Sequence, residues 1–435
     1  MADKKLLDGI RILSLEQVMV LPYGTAFLAD MGAEVIRIEH PDHIQDRRMG
    51  PYPDRQPGEQ WWNQGAMYAN WNRGKKAICL DVYTPRGKEI FLDLVKQSDV
   101  VADNFRTGTM QRLGFDYQDL IKVKPDIISF TCNAYGSIGP YRTLGARARN
   151  VDSFCGLSDL TGYENGPSLR ASGNYMDHTG GLSNAYLLLL AIYHKRKTGK
   201  GLRVDASMYE AGTQGIGPAI LEVQKNINQE RTGSAHPYWK SPYNVYPCAT
   251  DDRWIAICVS DDQQWENLKS AIGNPNWTNN SDFNSALGRW ENRKELDKNL
   301  ADWTRTQNHM EAQHTLQANG VPAGAVYNAE ECINDPHLGE RDYFDTVTPE
   351  RAKGTGAEVW AGRAFTGRPF RIPFIPTTMN PPPDLAQHNK EVFQGILGLS
   401  DADINQLLAD GIILNGPNAK ELANPPAPGG IGGGG

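Results

Sequence analysis

The first 130 residues alternate between short apolar runs typical of strands and longer stretches typical of helices. This alternation narrows the folds open to the chain. The helix-like stretches include 23–31 and 85–97. Repeated strand–helix units form a mostly parallel sheet covered on both faces, and such sheets bind ligands at the carboxyl ends of their strands. We therefore predict an α/β fold with strands at 10–15, 33–38, 77–82, 100–102 and 127–130.

The composition changes after about residue 211 and divides the chain into regions. Residues 225–330 are richer in Asn, Trp and Gln, and the stretch 340–385 is rich in Pro, Gly and Arg, as is typical of a linker. The predicted organisation is a large domain with its N-terminal part at 1–211, a small domain at 225–330, a linker and C-terminal part at 340–423 that returns to the large domain, and a disordered tail at 424–435.

Charge and apolar content argue against several classes of function. The net charge of −7 disfavours a nucleic-acid partner, because phosphate binding needs a basic footprint. No apolar run approaches the roughly 20 residues of a membrane span, and the N-terminus lacks a secretory pattern. Six scattered cysteines without a CxxC pair indicate reduced thiols and a cytoplasmic location. No metal-ligand motif such as HExxH appears, so we predict no metal site.

Asp177 lies in a segment of small residues, 173–181, that leads into the apolar stretch 182–193. The local pattern favours a helix cap, because Asp is among the commonest capping residues. The alternative is a nucleophile. A carboxylate with a reference pKa of about 3.9 is ionised at neutral pH and can attack an activated acyl group without a base, and two nearby glycines would leave room for substrate. For His178, packing is favoured over a role as a base. Locally, both interpretations of Asp177 stay open.

Basic residues near the ends of predicted strands, including Lys75 and Arg112, indicate a phosphate-rich ligand, although each alone is typical of an exposed surface. The dinucleotide motif GxGxxG is absent after the first strand. Glu39, at the end of the second strand, imitates the ribose-binding acid of nucleotide folds. That single feature does not predict a nicotinamide cofactor.

Several ordered motifs together resemble the class III coenzyme A transferases, the CaiB–BaiF family. The resemblance implies a Rossmann-like parallel sheet in a large domain built from both chain ends, a smaller α+β domain, and an interlocked dimer. It is dense up to residue 212 and thinner beyond. The motifs that carry it lie at 7–13, 28–39, 72–76, 104–108, 135–141, 197–201 and 204–208.

The resemblance also implies an activity and a set of site residues. Asp177 falls on the catalytic aspartate, whose carboxylate would attack an acyl-CoA to form a mixed anhydride. An aspartyl-CoA thioester would follow, and a carboxylic acid acceptor would then take the CoA. Coenzyme A is thus a substrate and covalent intermediate, and no permanent cofactor is expected. The expected CoA-binding residues, with the first two lining the pantetheine and acyl end, are Gln17, Val18, His40, Lys75, Asn104, Phe105, Arg112 and Arg147.

One departure from the family bears on the acceptor. An aromatic segment at 232–239 stands where formyl-CoA transferase has a glycine-rich loop, which disfavours an oxalate-type acceptor and predicts a larger or aromatic dicarboxylic acid. An acyl-CoA racemase or epimerase of the same fold is a competing function, disfavoured because the segment 145–152 lacks a histidine. A CoA-binding subunit of a heteromeric transferase and a nicotinamide oxidoreductase compete as well. The expected assembly is a homodimer, or a heteromer with a homologous subunit.

Overall fold

The computed structural model describes residues 5–170, 173–227, 231–235, 240–376 and 379–427. The chain divides into two compact units. The first comprises Met1–Gly156, Ser172–Ile216 and Pro336–Gly435, and the second comprises Leu157–Ala171 and Gly217–Asp335. Residues 157–171, which the predicted boundaries place in the large domain, thus group with the second unit. Of the predicted tail, 428–435 lies outside the described residues.

A parallel sheet forms the centre of the first unit, as predicted. Its strand order is β3-β2-β1-β4-β5-β6, and every neighbouring pair is parallel. The order reverses between β1 and β4, and a crevice at such a switch point is where these sheets bind ligands. The last strand was not predicted, because its residues are half exposed and form no apolar run. The strands are β1 Arg11–Leu15, β2 Glu34–Glu39, β3 Lys76–Cys79, β4 Val100–Asp103, β5 Ile128–Asn133 and β6 Arg203–Ser207.

Helices occur in both units. In the first half of the chain they are α1 Val20–Asp30, α2 Ala66–Trp71, α3 Pro85–Lys96, α4 Thr109–Leu113, α5 Tyr117–Val123, α6 Ala148–Phe154, α7 Leu157–Leu160, α8 Tyr175–Thr198, α9 Met208–Gln214 and α10 Gly217–Val223. In the second half they are α11 Asp262–Ala271, α12 Ala286–Glu291, α13 Arg293–Thr304, α14 His309–Ala318, α15 Ala329–Ile333, α16 Pro336–Glu340, α17 Pro349–Ala352, α18 Asn389–Gly395, α19 Asp401–Ala409 and α20 Ala419–Leu422.

Both ends of the chain contribute to the core of the first unit. Leu13 and Ile36 of the first two strands pack in one buried cluster with Phe393 of α18 and Leu407 of α19. Burial of side chains of this size contributes about 1.5–3 kcal/mol each. The C-terminal segment is therefore part of the same hydrophobic core as the first strands.

Helices α1 and α8 cross at van der Waals contact because glycines lie on both sides of the crossing. A Cβ atom on Gly24 would lie 2.6 Å from the Gly181 carbonyl oxygen, and one on Gly181 would lie 2.7 Å from Tyr23 Cδ1. At Gly180 the corresponding distance to Val20 Cγ2 is 3.0 Å. The two glycines of α8 therefore allow helix packing, and the expectation that they leave room for substrate is corrected.

The second unit has its own small antiparallel sheet, of β7 Tyr243–Pro247, β8 Trp254–Cys258 and β9 Ala323–Ala325. Trp265 of α11 and Leu300 of α13 pack with Phe283 in a buried cluster against this sheet. A separate hairpin, β10 Phe344–Thr346 with β11 Ala364–Thr366, belongs to the first unit.

Candidate active site

Two loops meet at the switch point of the parallel sheet. The backbone N–H of Gln17, after β1, donates to Asn104 Oδ1 at 2.8 Å. The Asn104 side-chain amide, after β4, donates back to the Gln17 carbonyl at 2.7 Å. Val18 follows with φ at 59° and its side chain 41% exposed. A β-branched residue in this left-handed region is strained by about 1–3 kcal/mol, and such strain clusters at functional sites. The reciprocal pair holds this strained loop in place.

A pocket opens beside this loop at the carboxyl ends of the first strands. Gln17, His40 and Phe105, all predicted CoA-binding residues, line it together with Tyr83 and Leu113. The sequence therefore predicted several residues that the fold brings to one place. Tyr83 was missed, because an aromatic residue in a loop carries no local signal of its function.

His40 is held in one orientation at the edge of the pocket. Its Nδ1 accepts a hydrogen bond from the Asp42 backbone N–H at 3.0 Å, so the proton of the neutral ring lies on Nε2, which is 3.2 Å from Asp81 Oδ1. Burial lowers the pKa of His40, although Asp81 opposes this effect. The Tyr83 ring meets the His40 ring edge-on, with centroids 5.1 Å apart. The pocket thus presents a neutral, oriented imidazole.

The two predicted arginines differ in their position relative to the pocket. Arg112 is exposed in the last turn of α4, next to the pocket residue Leu113, and donates to Thr109 Oγ1 at 3.0 Å. Arg147 is exposed just before α6 and does not line this pocket. Arg112 is therefore at the pocket rim, whereas Arg147 lies outside this pocket.

Lys75 lies elsewhere than expected for a CoA contact. Its side chain is buried, and its Nζ donates to Glu16 Oε1 at 2.5 Å, to the Pro22 carbonyl at 2.9 Å and to Asn72 Oδ1 at 3.0 Å. Burial lowers the pKa of Lys75 to about 8. Burial would raise the pKa of Glu16, but the charges of Lys75 and Arg37 outweigh it and lower that pKa. In this structure Lys75 holds Glu16, the residue before Gln17, and its expected role in CoA binding stays a prediction.

Two further buried charged residues, Arg37 and Glu39, line the pocket and pair with charges behind it. Arg47 donates to both carboxylate oxygens of Glu39, at 2.8 and 2.7 Å, and also to the Tyr68 hydroxyl at 2.5 Å. Arg37 contacts Glu39 and Asp46 from the other side. Glu39 is therefore fully engaged inside the protein, which removes it as a ribose-binding acid. The sequence contains no signal of this pairing, because Arg37 and Glu39 lie within a predicted strand and Arg47 lies in a separate segment.

Asp177 lies inside the first turn of α8, and the helix begins at Tyr175, with Asn174 at the N-cap position. The prediction that Asp177 is the cap is therefore wrong. The glycines that suggested a loop are part of the helix, since α1 packs on them. Asp177 is 9% exposed, and a carboxylate in the first turn is stabilised in its ionised form by the free N–H groups and the helix dipole. The position suits a buried nucleophile.

His178 points away from a role as a base for Asp177. Its Nδ1 lies 2.9 Å from the Asn174 carbonyl oxygen, and its ring meets the Tyr23 ring edge-on at 4.9 Å. The side chain is exposed. These contacts agree with the packing role favoured from the sequence.

Asp103, the residue before Asn104, is a buried carboxyl group at the end of β4. It accepts hydrogen bonds from the Phe105 backbone N–H at 3.1 Å and from Thr131 Oγ1 at 2.8 Å. Burial raises the pKa of Asp103 to about 7, although these hydrogen bonds oppose the effect. The carboxyl group therefore titrates near neutral pH directly beneath the switch-point loops.

We expect Asp103→Asn to remove a pH-dependent loss of stability. Because the folded-state pKa is raised, the native protein binds more protons than the unfolded chain between about pH 4 and 7, so stability falls as pH rises through this range. The wild type should lose up to about 1.4 kcal/mol per pH unit relative to the variant. Denaturant midpoints measured between about pH 5 and 8 check this. Asp251→Asn, in an exposed turn, is the control. A pH-independent difference for Asp103→Asn would contradict the expectation.

Two further observations concern the described part of the chain. No group of three or more His, Cys, Asp or Glu side chains within it is arranged to hold a metal ion. None of its helices combines the length and the apolar content that crossing a bilayer requires.

Comparison with known proteins identifies relatives over most of the chain. A model of CoA-transferase family III matches residues 7–389. The chain is 30% identical over 424 residues to the succinyl-CoA–D-citramalate CoA-transferase of Chloroflexus aurantiacus, covering 94% of this chain and 98% of that one. It is 27% identical over 414 residues to the succinyl-CoA–L-malate CoA-transferase β subunit of the same organism, with the same coverage. A CaiB/BaiF family protein from Brucella suis shares the fold, with a TM-score of 0.79 and 24% identity over 91% of this chain and all of that one.

Proposed function

The chain belongs to CoA-transferase family III and is a CoA-transferase, and from that premise we propose that it moves CoA from succinyl-CoA to a dicarboxylic acid through covalent intermediates on Asp177. The observation that carries this proposal is the place of Asp177: a buried carboxylate in the first turn of α8, packed against the helix that follows the strained Gln17–Val18 loop.

The proposed reaction has four covalent steps. The Asp177 carboxylate attacks the thioester carbonyl of the donor, the C–S bond breaks, and CoA leaves as a thiolate. The thiolate attacks the aspartyl carbonyl of the anhydride, which releases the donor acid as a carboxylate and forms an aspartyl-CoA thioester. The acceptor carboxylate then attacks this thioester, which releases the CoA thiolate and forms a second anhydride. The thiolate attacks the acceptor carbonyl of that anhydride, which forms the product thioester and frees the Asp177 carboxylate. Free backbone N–H groups in the first turn of a helix can stabilise the oxyanion in each step.

CoA is proposed to lie along the switch-point pocket. His40 and Phe105 would contact the nucleotide end, while Gln17 and Val18 face the pantetheine and acyl end. Asn104 would act by fixing the Gln17 backbone, through the two reciprocal hydrogen bonds. Arg112 at the rim would meet a phosphate, since guanidinium groups bind phosphate oxygens in bidentate fashion. Arg147 remains a predicted contact outside this pocket.

The names of the two transferase relatives guide the choice of substrates. Both contain succinyl-CoA and a hydroxy-dicarboxylic acid, which supports succinyl-CoA as donor and a small dicarboxylic acid as acceptor here. A larger or aromatic acceptor stays a prediction. The sequence segment that suggested such an acceptor, 232–239, lies partly outside the described residues. Independently of it, Tyr135, Tyr141 and Phe154 form an aromatic cluster near the end of β5 that offers an apolar surface.

The assembly is also a proposal. The family resemblance implies an interlocked homodimer, and the relative named as a β subunit makes a heteromer with a homologous chain the competing assembly. Native mass spectrometry distinguishes a homodimer from a heteromer when it is applied both to the protein produced alone and to the protein isolated from its own cells.

Hydroxylamine trapping tests the covalent mechanism. In the presence of succinyl-CoA, hydroxylamine should attack the activated carbonyl and leave a hydroxamate on the tryptic peptide that contains Asp177, because anhydrides and thioesters acylate amines readily. Peptide mass spectrometry identifies the modified residue. Enzyme treated with hydroxylamine and free CoA, without an acyl donor, is the control and should stay unmodified. A hydroxamate on a different carboxylate, or the absence of any hydroxamate during active turnover, would refute the proposed role of Asp177.

A further inference from the structure

A second cavity lies in the C-terminal part of the first unit, outside the CoA pocket. It has a volume of about 170 Å³, and α16, the start of the β10–β11 hairpin and the segment after β11 surround it. We name it the arginine pocket after its polar lining, Arg341, Arg368 and Arg371. Its remaining walls include Leu338, Tyr343 and Phe370.

The charges around the arginine pocket are unbalanced. Arg371 pairs with Asp342 at 3.2 Å, whereas Arg341 has no ion-pair partner in the described part of the chain. Arg368 is 9% exposed, and its Nη2 donates to the Pro376 carbonyl at 2.5 Å. Three guanidinium groups and one carboxylate leave two positive charges facing one cavity. Guanidinium groups are the preferred partners of carboxylates in proteins.

The backbone and the Arg368 side chain add two further signs of a binding site. Asp342, at the mouth, has φ at 47° in the left-handed region, and such strain is retained where function requires a fixed geometry. Burial lowers the pKa of Arg368, with Arg73 acting in the same direction and Asp30 opposing. An anion bound in the pocket would compensate this buried positive charge.

A line of aromatic contacts joins the arginine pocket to the region of Asp177. Phe370 in the pocket wall lies 6.1 Å from Phe27 on α1, measured between ring centroids. Phe27 lies 4.9 Å from Tyr23, and Tyr23 lies 4.9 Å from His178, the residue after Asp177. The wall of the arginine pocket therefore contacts α1, the helix that packs on α8.

We propose that the arginine pocket binds a small organic dicarboxylate. The choice of a dicarboxylate among the possible anions rests on the proposed function. The positive charge of the cavity is independent of that function. The apolar walls formed by Leu338 and Phe370 suit the carbon chain between two carboxylates, and the guanidinium groups suit its ends. The bound acid is either the acceptor on its way to Asp177 or a separate effector of the same chemistry, and kinetics separate the two.

Calorimetry with L-malate and the full-length protein, without CoA, tests the proposal. The double variant Arg341→Gln/Arg371→Gln removes the two exposed guanidinium groups and leaves the buried Arg368 in place. Its affinity for L-malate should fall at least tenfold, about 1.4 kcal/mol, and the wild-type affinity should weaken with added salt. Arg363→Gln, an exposed arginine on the same hairpin, is the matched control and should bind as the wild type does.

Steady-state kinetics distinguish an acceptor site from an effector site, and binding measurements can overturn the proposal. A raised KM for the acceptor with unchanged kcat supports an acceptor site, and a changed kcat with unchanged acceptor KM supports an effector site. The proposal is overturned if wild-type protein does not bind L-malate, if the double variant binds it equally well, or if only inorganic phosphate binds in a manner that depends on Arg341. Binding of L-malate by a protein that shows no transferase activity would refute the proposed function and leave the pocket intact.

Discussion

Replacing Asp177 with alanine should abolish CoA transfer, lowering kcat by roughly 10⁴-fold or more, because removal of a covalent nucleophile leaves only binding and oxyanion stabilisation. The affinity for CoA should change less than about threefold, since the residues that line the CoA pocket lie at the carboxyl ends of β1 to β4 and Asp177 is not among them. Chromatographic assay of succinyl-CoA and product thioester gives kcat, and calorimetry gives the CoA affinity.

His178→Ala is the matched control for this experiment. His178 is the neighbouring residue, is exposed and contacts Tyr23, so its loss should reduce kcat less than about tenfold. Retention of more than a few per cent of wild-type kcat in Asp177→Ala would contradict a covalent role. Equal losses of kcat in both variants would indicate that the start of α8 is damaged, and not that a catalytic group has been removed.

Lys75→Met should destabilise the protein by about 3–5 kcal/mol, because it leaves Glu16 as a buried charge without its closest cation. The Lys75 Nζ also donates hydrogen bonds to the Pro22 carbonyl and to Asn72 Oδ1, and methionine can form neither of them. Denaturant unfolding followed by tryptophan fluorescence measures the loss. CoA affinity of the remaining folded protein should change little, since Lys75 is buried.

The neighbouring lysine provides the control. Lys76 pairs with Glu34 and Glu391 at a partly exposed position, and exposed pairs contribute about 0–1 kcal/mol. Lys76→Met should therefore cost far less than Lys75→Met. Adding Glu16→Gln to Lys75→Met should recover part of the loss, because it removes the unpaired charge. Equal losses for the two lysine variants would show that the buried network is not a stability determinant.

The parallel sheet was predictable because its first five strands are buried on both faces and read as continuous apolar runs. The edge strand β6 is exposed or half-buried over its first three residues and buried only over its last two, so it was missed. The start of α8 was missed for a different reason. Glycines are poor helix formers, and the sequence contains no sign that α1 packs on Gly180 and Gly181 and holds them in a helix.

The candidate site was predictable where residues follow strands directly. Gln17, His40 and Asn104 occupy such positions, and strand order alone brings them to one edge of the sheet. The burial of Lys75 and Glu39 was not predicted, because a charged residue in a sequence is expected to be exposed. Their partners, Glu16 and Arg47, are distant or unremarkable in the sequence, and burial becomes visible only when the fold pairs them.

The glycine crossing of α1 and α8 has a consequence for how this enzyme can acquire new substrates. It ties the helix that carries Asp177 to the helix that follows the Val18 loop, because a side chain at Gly24 or Gly181 would collide with the other helix. Evolution or engineering must then change substrate range through side chains on the rim, and Val18 is the obvious position. Libraries that randomise the rim while keeping the three crossing glycines should yield active variants far more often than libraries that include them.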